Sequence, residues 1–413
     1  MMINYQSFFI FLIIFTSLFS YWLNKRQINH VLKNKSNVPK EFSKTIKPKD
    51  HKKAAEYTVA KTKFSSFELI ISALILYSLT LGGGINLINN LINPHFEDSL
   101  ISGSFIMVST FLILSLIAIP SSIYSQFVIE EKFGFNKMKL KLFWMDTFKA
   151  TILTIIITTP IAYATLWITF NLGNLWWIWL WAFISVVLLL VNILYPIVKQ
   201  LFNEFKPLED KTLQSNLEKL LKKCGFVSSG LFVMNGSLRS THGNAFFGGF
   251  GKTKRIVFFD TLLKKLSHKE VEAVIAHELG HFHHNHIKKQ LAFSISFLFI
   301  ALYLLGDLKD SELLYKSLGV DLASNTNFIL LLILVIIPFL SFFMQPYMAY
   351  KSRKAEYEAD QYACLHSKPE DLKQSLTKLY RDNASTLTPD PLFSFFNHSH
   401  PPALMRLKAI DNI

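Results

Sequence analysis

The chain has 413 residues, 51% of them hydrophobic and only 17% charged, with 38 Phe and a mean hydropathy of +0.30. Soluble globular chains carry about 25% charged residues, so an ordinary soluble domain is excluded. The wide spread of Phe also excludes a soluble domain on one anchor. A formal charge of +14 would suit nucleic acid in a soluble protein, but basic loops held on the cytoplasmic face explain it here, and no nucleic-acid partner is expected.

Taken in order, the first apolar run is Ser7 to Leu23, ending in the interfacial pair Tyr21 and Trp22. It has almost no charge before it and no small-residue cleavage site after it, so it reads as a retained span, not a cleaved signal peptide. The stretch from Lys25 to Lys63 holds twelve Lys and Arg and reads as a disordered tail or a lipid-facing cytoplasmic loop. The second span is Phe67 to Leu91, interrupted by Gly82-Gly83-Gly84, where a kink or close helix contact fits. Further spans cover Ile101 to Tyr124, Ala150 to Phe170 with Pro160 inside, and Leu175 to Ile197 with Trp176, Trp177, Trp179 and Trp181 at its start. The sixth span is Leu291 to Leu305 and the seventh Asn327 to Phe343, with helix continuing to Leu365. Most approach the ~20 residues an α-helix needs to cross a bilayer.

Between spans five and six lies a long polar region. Leu213, Leu217, Leu220 and Leu221 mark a helix over Pro207 to Lys223, closed by Gly225. Leu231–Asn235, Asn244–Phe247 and Arg255–Phe259 read as short strands, the last two pairing as an irregular hairpin. Ser267 with Glu270 three residues on is a capping box, and it opens a helix carrying His277, Glu278 and His281. The chain thus divides into a five-span membrane region (1–198), a polar region (199–290), spans six and seven (291–350) and a polar C-terminal region (351–413). Basic loops follow spans one, three and five, and neutral or acidic loops follow two, four and six. That alternation gives seven crossings with the N-terminus outside and the C-terminus cytoplasmic. It places the His277 segment and the C-terminal tail on one side.

Ala276-His277-Glu278-Leu279-Gly280-His281 sets two imidazoles four residues apart on one helix face, with a carboxylate able to act on a metal-bound water. A catalytic zinc needs three protein ligands and an open position. His284, seven residues after His277, falls on the same projected face and is one candidate for the third. A single rigid helix converges poorly on a tetrahedral ion, so His283, His284 and His286 also read as solvated groups or as supports for the ligands. Glu356 is the better candidate, with Asp360 four residues on to accept the other ring N–H of a ligating His. A plainer reading makes Arg353 to Asp360 a solvated helix face.

These motifs, with Asn244-Ala245-Phe246-Phe247-Gly248-Gly249-Phe250 and Ser399-His400-Pro401-Pro402 followed by Arg406, resemble the integral-membrane CaaX prenyl protease type 1 family, the Ste24-like branch of the M48 zinc metallopeptidases. The resemblance spans nearly the whole chain. It implies an all-α polytopic membrane protein, seven transmembrane helices enclosing an intramembrane chamber, with a small α+β zincin-like domain at the cytoplasmic end. It implies one Zn2+ on His277, His281 and Glu356, Glu278 as general base, and Asp360 behind the ligands. His400 and Arg406 match residues that face the site and act on substrate or intermediate, although a Pro-flanked His could instead only cap a helix. Asn244, Ala245 and Phe246 match a strand that binds extended peptide. Expected partners are peptide or protein substrates and the lipid bilayer, with the protein as a monomer. Short loops and high hydropathy suggest a bacterial inner membrane, where membrane-protein turnover suits better than prenyl processing. A transporter or channel, a non-hydrolytic zinc scaffold and a site-2 type intramembrane protease are the rival readings.

Overall fold

Lipid offers the backbone no hydrogen-bond partner, so apolar runs of this length close their bonds internally as helices. The computed structural model describes residues 5–248, 254–321 and 325–413. Among them, six helices are long and apolar enough to cross a membrane: Tyr5–Asn34, Ser99–Glu130, Leu140–Asn171, Gly173–Phe202, His286–Asp310 and Thr326–His366. Counting the bent pair Pro48–Leu79 with Gly84–His95, which turns by 52°, as one broken span gives seven.

The helical elements begin with α1 (Tyr5–Asn34), α2 (Pro48–Leu79), α3 (Gly84–Ile92), α4 (Ser99–Tyr124), α5 (Leu140–Asn171) and α6 (Trp176–Phe202). The glycines at the α2–α3 break do the work expected of them. Gly83 takes φ 75°, and a Cβ on Gly84 would lie 2.7 Å from the Ser78 carbonyl oxygen. At 30 residues α1 is about 45 Å long, more than the ~30 Å hydrocarbon core, so it projects into water.

That projection corrects the reading of Lys25 to Lys63 as a disordered tail or loop. Most of the segment is the end of α1 and the start of α2, joined through a short turn at Lys40–Phe42. Phe42 and Ile46 are buried in the same core as the polar region's helices. The charge density hid a few apolar positions, Val31, Phe42, Ile46 and Ala55, that fix the hairpin while the lysines stay solvated.

The polar region contributes β1 (Phe205–Pro207), α7 (Lys211–Lys223), β2 (Leu231–Met234), β3 (Ala245–Gly248), β4 (Arg255–Phe259), α8 (Asp260–Leu263) and α9 (His268–His283). The sheet order is β1-β2-β4-β3, with β2 and β4 parallel and the other pairs antiparallel. The expected pairing of the last two strands is present, and β1 is a strand the sequence pattern did not reveal. The β3–β4 connection, residues 249–253 and hence part of the Asn244–Phe250 motif, lies outside the described residues. Beyond it come α10 (His286–Leu305), α11 (Glu312–Leu318), α12 (Asn325–Leu331), α13 (Ile337–His366), α14 (Pro369–Asp382), α15 (Pro391–Asn397) and α16 (Ala403–Asp411). A π-helical turn, Leu332–Ile336, joins α12 to α13.

The spans form a ring in chain order. α1 packs on α2, α4 on α5, α5 on α6 and α6 on α10. Phe64 and Tyr124 link α2 to α4 with ring centroids 4.9 Å apart, Phe293 and Tyr347 link α10 to α13 at 5.6 Å, and Phe9 and Phe339 return α13 to α1 at 6.2 Å. In the most apolar stretches of α1, α6 and α10 only 11% of residues are buried. At the end remote from the sheet the ring is filled, because α12 packs against α4 and α5. A Cβ on Gly103 would collide with Thr326 and Leu166 there, and Asn89 Nδ2 donates to Asn327 Oδ1 at 2.7 Å.

Candidate metal centre

α9 starts where the capping box places it. Glu270 Oε2 accepts from the Ser267 N–H at 2.7 Å, and Lys378 of α14 donates to the same carboxylate at 2.7 Å. Burial alone would raise the Glu270 pKa, but the Lys378 ammonium and the Ser267 donors hold it below the usual carboxylate value. His277 and His281 then lie one turn apart on the face toward α13. Ala273, Ala276, Ala359 and Ala363 are fully buried at or near this crossing. Gly280 permits the closest approach, since a Cβ there would lie 2.8 Å from Ala359 Cα and 3.0 Å from Tyr362 Cβ.

That approach delivers Glu356. His277 Nε2 and His281 Nε2 are 3.2 Å apart, and the Glu356 carboxylate lies 3.5 Å from the first and 3.3 Å from the second. Ligands around a zinc at about 2.05 Å subtend tetrahedron edges of about 3.3 Å; the separations here are close to that, running from His277 to Oε2 and from His281 to Oε1 of the one carboxylate. Two acceptor nitrogens this close repel unless a cation lies between them, and buried Glu356 Oε2 makes no hydrogen bond, its nearest cation being Arg406 Nη1 at 3.2 Å. The His/His/Glu donor set therefore fits one zinc ion. Among the described residues these three form the one group placed to hold a metal.

Each ligand is braced from behind. His277 Nδ1–H donates to Asp360 Oδ1 at 2.8 Å. Asp360 also accepts two bonds of 2.7 Å from Arg406 Nε and Nη2, and Arg406 Nη1 lies 3.2 Å from Glu356. Arg406 is buried, and although burial works against its charge, Asp360 holds its pKa above the ordinary arginine value. On the other ligand, His281 Nδ1 lies 3.0 Å from His286 Nδ1, and His286 Nε2 lies 2.9 Å from Glu358 Oε2. Sequence reasoning had only grouped His286 with the solvated or supporting histidines and had missed Glu358. Their one signal was Asn285, a residue type that tolerates the left-handed turn it adopts at φ 56°. His284 is not the third ligand: the group placed to hold a metal is His277, His281 and Glu356. As the cap residue of α9, His284 turns its ring against His283, His286 and Tyr362, with centroids 5.0, 5.5 and 6.3 Å away.

Glu278 is partly buried and lines a cleft of about 660 Å³ with His281, Phe246 and Phe247 of β3, and Phe293 and Tyr347 of the membrane helices. Burial pushes its carboxyl pKa up, against the pull of His277 and His281. β3 is the edge strand of the sheet. The Phe259 N–H donates to the Asn244 carbonyl, so alternation turns the backbone groups of Ala245 and Phe247 toward the free edge. Asn244 itself is exposed, and its side chain accepts from the Ala245 N–H at 2.8 Å. His400 reaches the metal group from the opposite side, with Nε2 3.5 Å from Glu356 Oε1 and its side chain 67% exposed. It borders a second pocket, of about 590 Å³, with Tyr380, Asn383 and Lys61.

Comparison with known proteins agrees with this geometry. Residues 27–204 match the family model described as CAAX prenyl protease N-terminal, five membrane helices, and residues 207–413 match Peptidase family M48. The chain is 33% identical to CAAX prenyl protease 1 of Saccharomyces cerevisiae, over 96% of this chain and 92% of that one. It is 31% identical to the human CAAX prenyl protease 1 homolog, over 95% and 92%. The crystal structure of S. mikatae Ste24p superposes with a TM-score of 0.92 at 30% identity, covering 98% of this chain and 99% of the other. A ring of six to seven long apolar helices, a small sheet and a His/His/Glu zinc triad place this chain in the CaaX prenyl protease 1, or Ste24-like, family of membrane-embedded M48 zinc metalloendopeptidases.

Proposed function

We propose that the protein cleaves peptide bonds near the C-terminus of extended, hydrophobic or prenylated peptides, with Glu278 as general base. The observation that carries this reading is the triad, with Glu278 and the edge strand β3 sharing one cleft. Zinc, when bound to His277, His281 and Glu356, supplies Lewis-acid polarisation of water and of the scissile carbonyl. Glu278, kept basic by partial burial, takes a proton from the attacking water and returns it to the departing amine. The free edge at Phe247 and the Ala245 carbonyl holds the substrate main chain by strand addition, with Phe246 beside it and the Asn244 side chain covering the Ala245 N–H. This fixes register and reads side chains weakly. His400, exposed and next to the triad, donates to the carbonyl oxygen as charge develops there. Arg406 is fully engaged with Asp360 and Glu356, so it acts as a positioning residue for the ligands.

The aromatic wall of Phe246, Phe247, Phe293 and Tyr347 suits a lipidated or apolar residue on one side of the cut. The polar pocket beyond His400 suits the released C-terminal fragment. The hollow of the helix ring is then the chamber through which substrate reaches the metal, favouring peptides and unfolded segments over folded proteins. The relatives act, by their names, on CaaX prenyl substrates, which supports the same substrate class here. The loop charges support an outside N-terminus and a cytoplasmic site. The bacterial inner-membrane expectation rests on loop length and hydropathy alone, and the relatives named above are eukaryotic.

Purified protein in detergent, given matched prenylated and unprenylated C-terminal peptides, tests the proposal. Wild type should release the C-terminal fragment, and E278Q should lose about 10²–10⁴-fold in rate while retaining zinc. Undiminished cleavage by E278Q would refute the assignment of the base. Equal cleavage of both peptides would refute a dedicated prenyl preference.

A further inference from the structure

We infer that His286 and Glu358 form a second positioning relay that holds the ligand His281, the counterpart of Asp360 behind His277. The argument rests on the zinc triad reading and on donor logic. A carboxylate can only accept hydrogen bonds when ionised, so at 2.9 Å from Glu358 Oε2 it is His286 Nε2 that carries the proton. A neutral imidazole with its proton on Nε2 offers Nδ1 as an acceptor. A zinc ligand that binds through Nε2 carries its proton on Nδ1, so His281 Nδ1, 3.0 Å from that acceptor, is the donor. With its proton on Nδ1, His281 turns the Nε2 lone pair toward Glu356 and His277 Nε2. The chain Glu358–His286–His281 sets both the tautomer and the ring orientation of the ligand. His277 reaches the same state through Asp360 directly.

The backbone is arranged to make the relay. The left-handed Asn285 ends one helix and starts the next, so that His286 folds back against His281. Glu358 stands two residues after the ligand Glu356 on α13. One helix thus supplies a metal ligand and the anchor for another, and the relay ties α10 to α13 at the metal. Both residues line the 660 Å³ cleft, His286 with 12% and Glu358 with 32% of its side chain exposed.

The test compares variants that keep or remove the acceptor, in purified full-length protein loaded with zinc alone and challenged with a chelator. His286→Leu fills the space without an acceptor and should bind zinc about 10–100-fold more weakly. His286→Asn presents an oxygen where Nδ1 stands and should stay close to wild type. Glu358→Ala should shift in the direction of His286→Leu, while Glu358→Gln, which still accepts from His286, should shift much less. His281→Ala, the reference, should lose zinc outright. If the Leu and Asn variants bind zinc alike, whether weakly or tightly, the relay is wrong while the triad stands. If His281→Ala holds zinc like wild type, the triad itself fails.

Discussion

Replacing Gly280 by Ala tests how the zinc site is built. The added Cβ would sit 2.8 Å from Ala359 Cα, 3.0 Å from Ala359 O and 3.0 Å from Tyr362 Cβ, where ordinary contact begins at 3.4 Å. Two of the three obstructing atoms are backbone, so side-chain rotation gives no relief. α9 and α13 must part by about 0.6 Å to restore van der Waals separation. His277 lies three residues before Gly280, and Glu356 three before Ala359, so the displacement passes almost undiminished into the ligand separations of 3.5 and 3.3 Å. Metal sites tolerate deviations of about 0.2 Å in ligand distance, and overpacking of this kind costs about 1–3 kcal/mol in stability. The expected result is weaker zinc binding in a chelator competition, a modest fall in thermal midpoint, and activity down by about 10²-fold even at saturating zinc. A G280A protein with a lowered midpoint but unchanged zinc affinity and turnover would show that the helices yield elsewhere, and would refute the coupling.

Other substitutions test separate links. Asp360→Asn removes the anion between His277 and Arg406 and leaves a buried guanidinium short of charge; breaking such a pair costs about 3–5 kcal/mol, read as a lowered thermal midpoint together with zinc loss. Phe42→Ala tests whether the basic hairpin is truly docked: Phe42 is fully buried, and its truncation should cost about 3–5 kcal/mol and admit protease between α1 and α2, whereas a free loop would show neither. Glu270 carries a pH prediction. Its folded-state pKa lies below the unfolded value near 4.5, so its stabilisation is complete above that value and fades as pH falls through the folded pKa. Glu270→Gln should lower the thermal midpoint at neutral pH and shrink the loss of stability on acidification; an unchanged acid limb would remove the Glu270–Lys378 pair from the account.

The spans, the capping box and the two-histidine face were legible because each is a local regularity. Hydropathy over 20 residues dictates a helix in lipid whatever surrounds it, and Ser267 with Glu270 fixes a helix start without tertiary help. Glu356 was legible as a candidate through its spacing from Asp360. What stayed hidden depends on approach across the fold. Nothing local marks Glu358 as the partner of His286, because the pairing exists only once α13 crosses α9. The basic hairpin misled for a related reason: its many lysines outweigh Phe42 and Ile46 in any composition argument, yet those two residues decide where it docks.

The order of the parts along the chain also follows from the membrane. The two histidines and the glutamate must face one ion, so they must emerge on one side. An even number of crossings must therefore separate them, and here it is two, the spans of α10 and of α12–α13. This ties the metal to the ring. α10 follows directly from the histidine helix, and α13 is the glutamate helix itself, so their relative position in the bilayer sets the ligand distances. Their contact through Phe293 and Tyr347 lies in the wall of the same cleft that Glu278 lines. Displacement of one of these spans against the other would act on the ligand His281 through His286 and Glu358.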